Sequence, residues 1–83
     1  MTERRSNSLD RSAVEQLLAE AERRIAQGEQ QIAAQRSLIA DLNRQGDAGA
    51  VSHAKYLLAG LELLQSARRA SRERLVSQLN GTT

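Results

Sequence analysis

The sequence predicts an all-α protein: an antiparallel two-helix hairpin, coiled-coil-like along its seam, that pairs as a homodimer into a four-helix bundle. Three observations carry this expectation. Proline is absent, and the helix formers Ala, Leu, Gln, Glu and Arg dominate the 83 residues. Glycines cluster only at Gly46-Asp-Ala-Gly49, which divides the chain into halves of similar length. Finally, Val14, Leu18, Ala21, Ile25, Gly28, Ile32, Gln35, Ile39 and Leu42 recur at alternating steps of three and four, the spacing of a left-handed coiled-coil seam. No β-branched residues alternate with polar ones in the manner of a strand.

The first helix is expected over about 9–45 and the second over about 48–80, with residues 1–8 a flexible tail and 81–83 a C-terminal one. Ser12-Ala-Val-Glu15 has the form of a capping box, and Ser8 is a second candidate cap. Gly46 suits the position just past a helix end. Asp47 suits the start of the next helix, where its carboxylate accepts an early backbone N–H. Asn80-Gly81 reads as a stop. Helices of this size are roughly 45–55 Å long at the usual rise per residue, and so short a turn between them forces an antiparallel hairpin.

The second helix contributes Val51, Ala54, Leu57, Leu58, Leu61 and Leu64, then Leu75, Val76 and Leu79, with the stripe interrupted by Gln65, Arg68 and Arg72. Folding about Asp47–Ala48 sets Ile39 against Leu57, Leu42 against Ala54, Ile32 between Leu61 and Leu64, and Gly28 opposite Ala67–Arg68. The acidic third of helix 1 (Glu15, Glu20, Glu22) then lies beside the basic third of helix 2 (Arg68, Arg69, Arg72, Arg74). Exposed ion pairs each contribute well under about 1 kcal/mol, but their pattern disfavours other registers.

A hairpin with no Phe, no Trp and no Cys has a thin core and no covalent staple. Small cores of this kind supply no more than about 3–5 kcal/mol, which points to association through second faces. Helix 1 offers the heptad row Ala19, Ala26, Ala33 and Ala40. Helix 2 offers Tyr56, Ala59, Leu63, Ala67 and Ala70, with Leu63 the large apolar member off the main stripe. Alanine also serves as plain helix filler, so the second row carries more of the expectation than the first. Leu61 is assigned to the seam and Leu63 to an intermolecular contact.

The same inventory excludes several classes of function. Without Cys there is no disulfide scaffold and no thiolate zinc site. The N-terminal residues lack the apolar core of a secretion signal, and the longest apolar run, Tyr56–Leu61, is far short of the roughly 20 residues of a membrane span. A soluble, cytoplasmic protein is expected. His53 is the only histidine, and nothing supplies the converging ligands that a metal needs. No nucleophile elbow or phosphate-binding glycine loop is present. The chain is expected to be no enzyme and to bind no cofactor.

The remaining candidate is the arginine group Arg68, Arg69, Arg72 and Arg74, joined at the same end of the hairpin by Arg4, Arg5 and Arg11. Such a group binds phosphates if it forms one patch, although no aromatic residue lies there to stack bases. The expected function is therefore a small helical interaction protein that self-associates and presents a helical surface to a protein partner. The alternative is a nucleic-acid-binding hairpin dimer, for which the RNA-binding plasmid protein Rop is the fold-level analogy. One stretch, Glu22-Arg-Arg-Ile-Ala-Gln-Gly-Glu29 and onward to Leu42, followed by Leu57-Leu-Ala-Gly-Leu-Glu62, resembles short uncharacterised proteins of rhizobia and related α-proteobacteria. That resemblance implies a bacterial helical hairpin and assigns no chemistry.

Overall fold

The structure, a computed structural model, describes the backbone of residues 2–81 and the side chains of residues 11–81. Two helices, α1 (Thr2–Gln45) and α2 (Ala48–Gly81), pack along their length as an antiparallel hairpin, a rod of 67 × 15 × 14 Å. The first helix begins earlier than the caps at Ser8 and Ser12 imply. Both serines lie inside it, and residues 2–8, expected as part of a tail, are helical backbone. No Gly or Pro interrupts that stretch, so nothing in it breaks the helix. Glu15 pairs with Arg11 at 3.5 Å instead of closing a capping box.

The turn is as short as a helical hairpin permits. Gly46 takes φ +77°, a left-handed conformation that a side chain would strain. Its N–H donates to Asn43 O at 3.1 Å, and the N–H of Asp47 donates to Leu42 O at 3.3 Å, the two bonds of a Schellman termination. Asp47 then caps α2, its Oδ1 accepting from the N–H of Ala50 at 3.1 Å. Replacing Asp47 with Ala is expected to lower stability by about 1 kcal/mol. That loss should appear as an earlier urea midpoint at unchanged slope.

On α1 the predicted seam is the observed one. Val14, Gly28, Ile32 and Ile39 are buried, and Leu18, Ala21, Ile25, Gln35 and Leu42 are half-buried. On α2 the seam differs from expectation. It runs Val51, Ala54, Leu58, Leu61, Gln65, Arg68, Arg72, Leu75 and Leu79, all buried or half-buried, while Leu57 and Leu64 face outward. The polar residues read as interruptions are thus part of the packing stripe. Ile39 clusters with Val51 and Ala54, with Leu42 and Leu58 alongside, whereas Leu57, which the fold-over arithmetic set against it, is exposed.

The physical reason lies across the seam. Either Leu57 and Leu64 or Leu58 and Gln65 continue the three-four spacing after Ala54, so α2 alone leaves the choice open. Gly28 decides it. With no side chain there, Gln65 lies over the α1 backbone, 3 % exposed, and its Nε2 donates to Ile25 O at 2.8 Å. A second glutamine does the same in the opposite direction: Gln35 Nε2 donates to Ala54 O at 3.0 Å. These two bonds tie each helix to the backbone of the other. The layer of Gly28, Gln65, Arg68 and Arg72 lies between the apolar cluster near the turn and the far stretch of the seam, where Val14 is buried and Leu18 and Leu75 are half-buried.

Candidate functional site

Around the rod the two flanks of the seam differ in character. In the central stretch, residues 25–40 of α1 and 56–67 of α2, the charged residues are Glu29, Arg36 and Glu62. All three lie on one flank, where Arg36 meets Glu62 at 2.9 Å and Arg69 meets Glu29 at 3.1 Å. The opposite flank, a rotation of about 100° the other way around each helix, carries Gln31, Ala34 and Leu38 from α1 and Leu57, Gly60 and Leu64 from α2. Leu38, Leu57 and Leu64 are each close to half exposed there.

The predicted surface residues divide over different faces. Ala19, Ala26, Ala33 and Ala40 are all exposed on the charged side of α1. Ala33 shares a groove with Glu29, Arg36 and Arg69, and Ala26 one with Glu22 and Arg72. Tyr56 and Leu63, 77 % and 74 % exposed, lie on the back of α2 with Ala59 and Ala67 to either side. The two rows therefore do not merge into one surface on the hairpin. Leu61 is half-buried in the seam, and Leu63, two residues on, faces away from it.

The arginines are spread around α2. Arg68 is half-buried in the seam with Nη1 3.5 Å from Gln65 Oε1. Arg69 is paired with Glu29 on the charged flank. Arg72 Nε is buried without a hydrogen bond, 3.9 Å from Glu22 Oε2, and its Nη1 lies as far from Glu73. Arg74 is on the other flank, in a groove with Leu17 and Arg24, where its Nη2 donates to Ser71 Oγ at 3.0 Å and makes no ion pair among the described residues. One shared phosphate-binding patch is not formed by these side chains. The side chains of Arg4 and Arg5 lie outside the described residues.

His53 is exposed near the start of α2. Among the described residues no three His, Asp, Glu or Cys side chains gather as metal ligands, and no helix is long and apolar enough to cross a membrane. Sequence reasoning missed the paired glutamine bonds and the outward-facing Leu57 and Leu64. The only signal for the former was a Gln at each of two seam positions, one of them opposite a Gly. Comparison with protein-family models, curated proteins and solved structures finds no match to this chain.

Proposed function

We propose that this protein is a small, non-enzymatic helical interaction protein that self-associates and offers a remaining helical surface to a protein partner. One observation carries the reading. Among the described residues the core holds five buried apolar side chains, none of them fully buried, while six large apolar side chains are left between 45 % and 77 % exposed. A hairpin that buries so little is stabilised by covering such side chains with another chain, as small scaffolds without staples require. The outward row Tyr56–Leu63 is the surface left for a partner of another kind, since large aromatic and aliphatic side chains anchor protein contacts.

The nucleic-acid reading has less support, because Arg69 and Arg72 lie near Glu29 and Glu22 while Arg74 lies on the other flank. Sedimentation equilibrium at micromolar concentration tests the proposal. A dimer is expected, and a stable, fully helical monomer of 9.1 kDa would overturn it.

A further inference from the structure

We infer that the hairpin is a clasp that opens in two stages, with the polar layer of Gly28, Gln65, Arg68 and Arg72 as its boundary. The arms beyond the layer, residues 11–24 and 70–81, detach and melt while residues 29–64 stay closed around the turn. The inference concerns the single hairpin and does not rest on the self-association proposed above.

Apolar packing is shared unevenly between the two halves. Of the five buried apolar side chains among the described residues, Ile32, Ile39, Val51 and Ala54 lie on the turn side of the layer and Val14 lies beyond it. Past Gln65, α2 has no buried residue. Its inward face there is formed by Ser71, Arg72, Leu75, Val76 and Leu79, all half-buried. Polar ties between the helices follow the same division. On the turn side, Gln35 Nε2 donates to Ala54 O at 3.0 Å and Arg36 meets Glu62 at 2.9 Å. Arg69 pairs with Glu29 next to the layer, and beyond it Arg72 comes no closer to Glu22 than 3.9 Å.

The layer itself favours parting. Arg72 Nε is buried without a hydrogen bond, a costly state that water relieves as soon as the arms separate. Arg68, half-buried beside it, is hydrated in the same step. Chain connectivity fixes the order. Ile39 and Val51 pack across the two-residue link, whereas the bond from Gln65 to Ile25 closes a much longer loop. Contacts beyond the layer close longer loops still, so they form once the turn half has already brought the helices together. Helices of this length draw most of their stability from packing. A detached arm therefore loses its own backbone bonds as well, and its amides exchange. Opening bares Val14, Leu18, Leu75 and Leu79 while the turn half keeps the two arms joined.

Amide hydrogen exchange on the whole protein, with urea added in steps below the unfolding midpoint, tests the inference. Amides of 14–24 and 70–79 are expected to show protection at least about tenfold below that of 32–42 and 51–61, as a separate cooperative unit does. Their exchange should also rise less steeply with urea, because the first stage exposes less surface than global unfolding. The protection should change in a step at the layer. A gradual rise from residue 14 towards the turn is plain end fraying and overturns the proposal, as does equal protection on both sides.

Ile39→Val is an independent test, since it weakens the turn half alone. Amides of 32–42 and 51–61 are expected to exchange about two- to tenfold faster, while those of the arms keep their wild-type rates. A hairpin that opens as one unit speeds both sets by the same factor, and that result overturns the two-stage opening.

Discussion

Ile39→Asp is expected to unfold the hairpin. Ile39 is buried among Val51 and Ala54, with Leu42 and Leu58 against the cluster. Truncating a buried Ile costs about 2–5 kcal/mol by itself. The substitution also sets a carboxylate in an apolar layer, which adds to the penalty. A core of this size supplies only about 3–5 kcal/mol in total, so the folded state should no longer be the populated one at room temperature. Circular dichroism in the far ultraviolet reads the result as a loss of most helical signal. Ser37→Asp, two residues away and exposed, is the control and should change the signal little. If Ile39→Asp keeps a wild-type spectrum and melting midpoint, the turn-proximal cluster is not what holds the helices together.

Gly28→Leu is expected to be the second most damaging change. A Cβ at this position lies 2.9 Å or closer to the amide of Gln65 and 2.7 Å from Arg68 Nη1, too near for either to stay. Those atoms are ends of flexible side chains, so the backbone need not move, but Gln65 must leave its place over α1. It then loses the bond to Ile25 O. A buried amide left without a partner costs about 1–3 kcal/mol, and overpacking adds about 1–3 kcal/mol. The better helix propensity of leucine returns under about 1 kcal/mol. A net loss of about 2–4 kcal/mol follows from these terms. Gln65→Ala in the same chain opens the space that the introduced leucine needs, and should recover part of the loss. A double-mutant cycle from urea denaturation measures the coupling, expected between about 0.5 and 3 kcal/mol. Strict additivity of the two changes would mean that Gly28 and Gln65 do not share the site.

These two residues also show how far the sequence could be read. The α1 seam was legible because its apolar positions keep one phase from Val14 to Leu42, with small or polar residues between them. On α2 the adjacent pairs Leu57–Leu58 and Leu64–Gln65 straddle two phases. Hydrophobicity favoured the stripe that avoids Gln65, yet the structure uses the one that includes it. Periodicity weighs a glutamine only as a polar residue. It does not register that a missing side chain on the facing helix exposes a backbone carbonyl that the glutamine can reach. The outward-facing leucines escaped the sequence reading for the same reason. Once Leu58 and Gln65 turn inward, Leu57 and Leu64 must turn out, on the flank whose central stretch carries no charge. The arginines drew attention as a cluster in sequence, but at about 100° per residue Arg68, Arg69, Arg72 and Arg74 fall on the seam and on both flanks.

What the sequence by itself determined is local: two long helices, because nothing between Thr2 and Gln45 or between Ala48 and Gly81 breaks them, and the turn, because Gly46 and Asp47 supply the left-handed residue and the cap that so short a connection needs. It also determined that the helices are antiparallel, since a two-residue link permits no other course. What only the tertiary structure decided is the phase of α2 about its own axis, and with it which leucines are core and which are surface. That phase depends on a contact between residues 25 and 65, far apart in the chain and adjacent only after the hairpin closes. The energy that selects it, one buried amide satisfied or left without a partner, is comparable with the apolar gain from turning one more leucine inward.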